Sequence, residues 1–540
     1  MDATASNRSG ADYDAIIVGA GVAGLYQLHE LREMGLKVRS IDASSDVGGT
    51  WYWNCYPGAR VDSQSYVYQY WFSEELIEDW NWSQRFPPQP ELERYLDFVA
   101  DKLDLRKDIQ FDTRVTSADW DEANTRWILG TDRGDELTTR FLISCSGMLS
   151  APNVPPFPGH EKYKGIVAHT ARYPREGIDL HGKKVGVVGT GATGIQVVQT
   201  IAAEVAELKV FQRTPQYAVA MRNPRFTDAD RAHYKAKARE LYERVNSTFA
   251  GFDFDADYGS WYDLTPEKRR EVLENVWADG SLSMWVGSFT EVLTDEEVGE
   301  EVSEFVRQKI RPRIHDPELA EKLLPHHYTF GTYRVPLELG YYDAYNRDNV
   351  ELIDVKNAPI ERFTEKGLET AAAEYELDVV ILATGFDAGT GSLTAMNITG
   401  RNGASLTGQW RKDIRSTLGL QVYGFPNLFT VAGPLAPSTA FCNMTTCLAQ
   451  QVDWVTDCIA WMLDNDHRTI EPTRQKQDEW VQHHDETANE TLMMRTNSWY
   501  TGANIEGKPR RLLSYIGGAA EYRQICEDVK QSGYQGFAVA

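Results

Sequence analysis

The 540-residue chain is too long for a single hydrophobic core, and its length predicts about three or four domains. It carries 55 Lys and Arg against 79 Asp and Glu, and its net charge of −24 argues against nucleic acid or anionic membrane as partners. Six cysteines are too few for a disulfide scaffold. Residues 1–14 lack the order of a secretory signal, and no apolar stretch approaches the ~20 residues that span a bilayer. We therefore expect a cytoplasmic protein.

A strand–turn–helix–strand unit opens the chain. The apolar run 14–18 leads into the turn Gly19-Ala20-Gly21-Val22-Ala23-Gly24, and a helical pattern and a second strand follow, ending at Asp42. The glycines admit a pyrophosphate, the helix amino terminus faces its charge, and the acidic residue accepts hydrogen bonds from ribose hydroxyls. The unit predicts a dinucleotide site that uses Gly19, Gly21, Gly24 and Asp42.

An aromatic-rich run, residues 48–62, follows this unit. Its glycines let the backbone approach a ligand closely, and its tryptophans supply flat apolar walls. A Tyr-Pro-Gly turn then delivers Asp62. We expect Gly49, Thr50 and Trp51 to contact the first cofactor, with the Asp62 carboxylate close to it.

The same unit occurs a second time. The strand 184–188 leads into Gly189-Thr190-Gly191-Ala192-Thr193-Gly194, followed by a helix and the strand 208–211. One glycine turn is a weak signal, but two in the same context are a strong one. A second dinucleotide site is therefore predicted, with Gly189, Gly191, Thr193 and Gly194 as its contacts.

The two sites differ in the residues that face the ribose. Asp42 suits a free ribose diol and repels a 2′-phosphate, which fits FAD. The second unit has no acid there and reads Phe211-Gln212-Arg213-Thr214. Because the Arg213 guanidinium can pair with a 2′-phosphate and Thr214 can donate to it, this site predicts NADPH rather than NADH.

Three further apolar strands end in small-residue turns, at 141–147, 379–385 and 428–433, and the first two mark expected crossings between nucleotide domains.

Residues 222–330 are charged and helical, with helix starts expected at Thr265-Pro266, at the box Thr294–Glu297 and at Asp316-Pro317. The predicted fold is α/β, with two Rossmann-like dinucleotide-binding domains and a helical insertion. The expected divisions are 1–147 (FAD domain, first part), 148–221 (NADP domain, first part), 222–330 (helical insertion), 331–385 (NADP domain, second part) and 386–540 (FAD domain, second part, with a control loop).

The order of these motifs resembles the type I Baeyer–Villiger monooxygenases, flavoenzymes that insert an oxygen atom beside a ketone carbonyl. The run 48–62 resembles one signature of that family, and residues 163–174 resemble its linker signature. In the linker, Tyr163 and Tyr173 replace the two expected aromatic residues. The resemblance implies that His169 couples domain movement to catalysis and performs no chemistry itself.

The segment 330–337 resembles the one that carries the family's catalytic arginine, which maps to Arg334. The resemblance implies that NADPH reduces the flavin, O2 gives a C4a-peroxyflavin, and attack on the ketone gives a tetrahedral adduct that rearranges to an ester or lactone. A permanently charged guanidinium stabilises the negative charge that develops, and Asp62 orients it. Tyr333 stands where the family usually has a lysine near the 2′-phosphate. This replacement weakens the predicted preference for NADPH over NADH.

Two later segments resemble family loops. Residues 498–508, here called the control loop, resemble a mobile loop in which Trp499 closes over nicotinamide and substrate. Residues 438–444 resemble the loop that shapes the substrate pocket, with Phe441 and Met444 as an apolar wall. Cys442 and Cys447 are interpreted as ordinary pocket or core residues, and no set of metal ligands accompanies them.

Two other functions stay open at this point. A flavin-containing monooxygenase that oxidises sulfides or amines uses the same two nucleotides, and a flavin-binding redox sensor would oxygenate nothing. The expected partners are a small-molecule ketone and O2, with no nucleic acid and no membrane, in a monomer or weak oligomer. Linear, cyclic, aryl and steroid ketones all remain possible substrates.

Overall fold

A computed structural model describes residues 10–439 and 441–540 of the chain. Residues 1–9, which belong to the segment expected to lack a secretory signal, lie outside the described residues, and so does Ala440 of the substrate loop. The strands are β1 Tyr13–Val18, β2 Val38–Ile41, β3 Ile109–Gln110, β4 Val115–Asp121, β5 Arg126–Thr131, β6 Glu136–Ser144, β7 Ile166–His169, β8 Lys184–Val188, β9 Glu207–Gln212, β10 Val219–Ala220, β11 Leu337–Glu338, β12 Val350–Asp354, β13 Ile360–Phe363, β14 Gly367–Thr370, β15 Glu374–Glu376, β16 Val379–Leu382, β17 Ile398–Thr399, β18 Leu428–Thr430, β19 Ile470–Pro472 and β20 Phe537–Val539. The helices are α1 Val22–Glu33, α2 Thr50–Trp53, α3 Glu74–Asp79, α4 Gln89–Lys102, α5 Ala192–Ile201, α6 Asp228–Ala236, α7 Ala238–Ser247, α8 Pro266–Asp279, α9 Ser283–Val286, α10 Glu296–Ile310, α11 Pro317–Leu323, α12 Tyr341–Ala344, α13 Gly391–Thr394, α14 Leu406–Trp410, α15 Met444–Asp464, α16 Arg474–Asn489 and α17 Ala519–Gln531.

The first large sheet carries the first glycine turn. Its strand order is β17-β4-β5-β6-β1-β2-β3, and β18 pairs with β6. The strand β1 lies parallel to both β2 and β6, and its residues Ala15, Ile16 and Ile17 have no exposed surface. Because helices and loops cover both faces of such a strand, its sequence is a continuous apolar run. Ligands bind in the crevice at the carboxyl end of parallel strands of this kind.

The second large sheet is parallel throughout, in the order β12-β9-β8-β16-β7. The strand β8 leads into the second glycine turn, and β16 packs between β8 and β7. The chain builds the first sheet, crosses to the second, makes the helical segment, and returns through the second sheet to the first. The fold class is thus the predicted one, an α/β fold with two dinucleotide-binding sheets.

Helices dominate residues 222–330, where α6 to α11 lie. Thr265 caps α8 and Asp316 caps α11 as predicted. The third predicted start is wrong by one residue, because the Asp295 carboxylate, and not Thr294, accepts the backbone N–H groups of Glu297 and Val298 at 2.9 and 3.2 Å. The Asp295 carboxylate satisfies two unpaired helix donors, and hydrogen bonds to a charged acceptor are stronger than those to a neutral hydroxyl.

None of the helices in the described part of the chain is both long enough and apolar enough to cross a membrane.

Candidate active site

The glycine turns are shaped by close backbone approach. Gly19 has a φ of +114°, and a Cβ there would overlap the Cys145 carbonyl group. Gly189 has a φ of +108° and lies equally close to the Ala383 carbonyl oxygen. Only glycine fits such positions, so each turn is pressed against the neighbouring parallel strand.

The third glycine of each turn serves helix packing. A Cβ on Gly24 would overlap the Gly19 carbonyl oxygen, and one on Gly194 would overlap that of Gly189. Neither Gly24 nor Gly194 lines the cavity between the turns. These two glycines bring helix and strand together, and their contact with a cofactor stays a prediction.

One large cavity of about 1290 Å³ joins the two turns. The expected site residues that line it are Gly19, Gly21, Asp42, Gly49, Thr50, Trp51, Asp62, Gly189, Gly191, Thr193, Arg213, Thr214, Arg334, Phe441, Met444 and Trp499. A Cβ on Gly191 would meet nothing within 4 Å, so this turn leaves open space for a phosphate. A glycine turn before a helix at each end of the cavity, with an arginine at the second, is the donor set that FAD and NADPH need.

Asp42 is buried and already organises the first turn. Its Oδ2 accepts the Ala20 N–H at 2.6 Å, and its Oδ1 accepts the Ser44 N–H at 2.8 Å and the Ser44 hydroxyl at 2.6 Å. A carboxylate has about four acceptor positions. These bonds therefore leave one position for a ribose hydroxyl.

The aromatic-rich run turns tightly against the first glycine turn. Gly49 has a φ of +53°, and a Cβ there would lie 2.8 Å from the Gly21 Cα. Thr50 and Trp51 begin the short helix α2, and the Trp51 indole N–H donates to the Tyr68 hydroxyl at 3.2 Å. This contact holds the Trp51 ring at the cavity wall.

An ion pair lies at the cavity wall. The Arg334 Nη2 donates to Asp62 Oδ2 at 2.5 Å, and its Nη1 donates to the Thr439 carbonyl oxygen at 2.9 Å. The guanidinium lies 5.2 Å from the centre of the Trp285 ring. Burial alone would lower the pKa of Arg334, but Asp62 and the neighbouring Tyr500 together outweigh burial, and the pKa is raised. The guanidinium therefore stays charged, with about a fifth of its surface exposed.

Arg213 and Thr214 line the cavity beside the second turn. The Thr190 hydroxyl donates to the Thr214 carbonyl oxygen at 2.9 Å, which ties the glycine turn to this segment. Tyr333 is half-buried, with its ring 4.3 Å from that of Tyr328. Burial raises the pKa of Tyr333 and the positive charge of Arg213 opposes that change, so the two side chains are electrostatic neighbours.

Phe441, Met444 and Trp499 form an apolar part of the wall. Phe441 is buried, and its ring centre lies 5.3 Å from that of Trp285. The control loop is anchored nearby, because Asn504 donates to the Phe386 carbonyl oxygen at 2.8 Å and the Lys508 ammonium pairs with Asp387.

The linker histidine is held by hydrogen bonds. His169 Nδ1 accepts the Ala171 N–H at 3.1 Å, and its Nε2 lies 3.2 Å from the Thr384 hydroxyl. Burial lowers the pKa of His169. It ends β7 in the second sheet, and the Tyr163 hydroxyl donates to the Leu377 carbonyl oxygen at 2.9 Å in the same region.

Cys442 and Cys447 form a disulfide, contrary to the expectation of two ordinary residues. Their Cα atoms lie 6.3 Å apart, within bridging range, because the turn before α15 folds back on its first helical turn. The described residues contain no cluster of His, Cys, Asp and Glu that could hold a metal ion.

Two site residues were not predicted. Trp285, under the Arg334 guanidinium, comes from α9 of the insertion, where no motif marks it. Tyr500, next to Trp499, is 1% exposed and lies by Arg334. Its position inside the control loop was the only signal available.

The family model "Flavin-binding monooxygenase-like" matches residues 13–223. The chain is 54% identical to the acetone monooxygenase (methyl acetate-forming) of Gordonia sp. (strain TY-5), over 98% of this chain and 99% of that protein. It is 40% identical to a Baeyer–Villiger monooxygenase of Pseudooceanicola batsensis, over 97% of this chain and 96% of that protein.

This chain belongs to the Baeyer–Villiger monooxygenases. It also superposes on OTEMO in complex with FAD and NADP with a TM-score of 0.95, at 40% identity and over 98% of this chain and 100% of that chain. As a Baeyer–Villiger monooxygenase it uses FAD and NADPH to insert one oxygen atom from O2 beside a ketone carbonyl. The two alternatives, a sulfide- or amine-oxidising monooxygenase and a redox sensor, are not favoured.

Proposed function

We propose that Arg334 is the catalytic residue of this monooxygenase and that Asp62 orients it. The observation that carries the proposal is the ion pair at the cavity wall, backed by the Trp285 ring. A fixed positive charge in a partly buried site stabilises negative charge that develops on the ketone oxygen. Since a guanidinium does not release its proton, Arg334 provides this charge at every working pH.

We assign the two glycine turns to the two cofactors. FAD would be held by Gly19, Gly21, Asp42, Gly49, Thr50, Trp51 and Asp62, and NADPH by Gly189, Gly191, Thr193, Arg213, Thr214 and Trp499. When bound, reduced flavin supplies the activation of O2. The chain's own part is to bind both nucleotides, to exclude water with Trp499 and the control loop, and to place the substrate beside Arg334.

The substrate that this wall fits is an uncharged, apolar ketone. Phe441, Met444 and Trp285 offer ring and thioether surface, and the Trp285 indole N–H is already committed to the Gly331 carbonyl oxygen. The relative from Gordonia is named for acetone, so short-chain ketones belong in the range tested. We further propose a cytoplasmic monomer or weak oligomer, divided at 1–147, 148–221, 222–330, 331–385 and 386–540.

Product mass spectrometry under ¹⁸O2 tests this proposal. The purified protein, with FAD and NADPH, is given linear, cyclic, aryl and steroid ketones and one aryl sulfide. We expect an ester or lactone that carries one ¹⁸O atom from at least one ketone. Sulfoxide alone would favour heteroatom oxidation, and NADPH consumption without any organic product would favour the redox sensor.

A further inference from the structure

Tyr500 connects the control loop to the proposed catalytic centre. It lies in the short turn Trp499–Thr501, where its N–H donates to the Ser498 hydroxyl oxygen at 3.0 Å. The Leu513 N–H donates to the Tyr500 carbonyl oxygen at 2.8 Å. The Tyr500 and Trp499 ring centres are 4.1 Å apart, so the two rings pack against each other in the loop.

The hydroxyl of Tyr500 is buried and makes no hydrogen bond of standard geometry within the described part of the chain, although the Arg334 guanidinium lies close enough to interact with it. A buried hydroxyl without a partner is costly, and such groups in native proteins call for an explanation. The Phe441 ring centre lies 6.1 Å from that of Tyr500, and Tyr500 as a whole is only 1% exposed.

The charged groups that face this hydroxyl are Arg334 and Asp62. Burial raises the pKa of Tyr500, and the opposing effect of Arg334 does not cancel that change. The phenol is therefore neutral and can accept a hydrogen bond from the guanidinium, which only donates. A guanidinium has five N–H donors, and the bonds to Asp62 and the Thr439 carbonyl oxygen leave others available.

We propose that Tyr500 is a positioning residue that accepts a hydrogen bond from Arg334 when the control loop is closed. Asp62 and Thr439 hold one side of the guanidinium, and Tyr500 holds another from the loop. The position of the loop then sets the orientation of the charge, so Arg334 is fully ordered only when Trp499 covers the cavity. This inference rests on the proposed role of Arg334.

The kinetic test compares Tyr500→Phe with Tyr345→Phe in the holoenzyme. The control removes a buried hydroxyl whose partner is the Tyr341 hydroxyl at 2.9 Å. We expect Tyr500→Phe to lower kcat for ketone oxidation roughly tenfold, as loss of a hydrogen bond to a charged group predicts, with the rate of flavin reduction by NADPH unchanged. Tyr345→Phe should change neither rate. Equal kcat for Tyr500→Phe and the unmodified enzyme would overturn the proposal.

Hydrogen exchange provides a test that does not depend on catalysis. The amides of Thr501 and Gly502, bonded within the turn at 3.1 and 3.0 Å, report whether the loop is closed. With NADP⁺ bound, we expect faster exchange of these amides in both Tyr500→Phe and Arg334→Ala, and no further increase in the double variant, because one contact links the two residues. Unchanged exchange in either single variant, or additive increases in the double variant, would overturn the link. If Arg334→Ala keeps full ketone oxidation, the proposed catalytic role of Arg334 is wrong. The exchange rates would still show whether Tyr500 and Arg334 are in contact.

Discussion

The Arg334 guanidinium donates to the Asp62 carboxylate at 2.5 Å, although 272 residues separate them in the chain. Asp62 arrives from the aromatic-rich run beside the first glycine turn, and Arg334 arrives from the segment that follows the insertion. The contact therefore joins the part of the cavity beside the first glycine turn to the segment that follows the insertion. A charge held in this way needs no reorganisation when negative charge develops beside it.

Replacing Asp62 by Asn keeps the side chain's size and removes its charge. We expect kcat for ketone oxidation to fall roughly 10- to 100-fold, since one preorganised electrostatic contact is lost. The rate of flavin reduction should be unchanged, as stopped-flow absorbance would show. Asp119→Asn removes an exposed carboxylate on β4 and is the matched control for charge. An unaffected kcat in Asp62→Asn would show that Asp62 does not orient Arg334.

Arg213 should decide between NADPH and NADH. In Arg213→Ala we expect KM for NADPH to rise roughly 10- to 100-fold, the effect of one charge-assisted contact to phosphate, and KM for NADH to stay nearly constant. Arg495→Ala, which removes an exposed arginine paired with Glu296, is the control. A similar rise for both nucleotides would place Arg213 away from the 2′-phosphate.

The second glycine turn offers a matched pair of variants. A methyl group on Gly194 would overlap the Gly189 carbonyl oxygen, so Gly194→Ala should destabilise the fold by about 1–3 kcal/mol, measured by thermal unfolding. Gly191 has a φ of −72° and empty space at its Cβ, so Gly191→Ala should fold normally. It should instead weaken NADP⁺ binding, measured by calorimetry. The reverse pattern would contradict the assigned roles of the two glycines.

Glu30 on α1 should make stability depend on pH. Burial and the neighbouring carboxylates Asp453, Glu33 and Asp457 raise its pKa to about 7. The folded protein then holds a proton that the unfolded chain releases between its ordinary pKa and 7, so the free energy of unfolding falls as pH rises through this window. Glu30→Gln should raise the melting temperature at pH 8 and leave it nearly unchanged at pH 4. Equal shifts at both values would show that Glu30 is not the titrating group.

The features that the sequence predicted are those set by a few neighbouring residues, and the features that it did not predict depend on distant parts of the chain. Gly19 and Gly189 occupy positions that only glycine tolerates, so each turn can be recognised from a short local motif in the sequence. The pairing of Arg334 with Asp62 spans too much chain for local patterns, and only the family resemblance anticipated it. Trp285 was not anticipated, because packing of the insertion brings it under the guanidinium. The disulfide of Cys442 was missed because its geometry depends on how one loop folds back on α15.

The most direct test of this account measures two rates in Arg334→Ala. Anaerobic stopped-flow absorbance gives the rate of flavin reduction by NADPH, and product analysis under air gives the rate of ester or lactone formation. We predict flavin reduction close to that of the unmodified enzyme, with ketone oxidation lowered by roughly 10²–10³-fold or more, as for loss of one strong electrostatic stabiliser. Ester formation at the unmodified rate would contradict the central claim that Arg334 stabilises the charge that develops on the ketone.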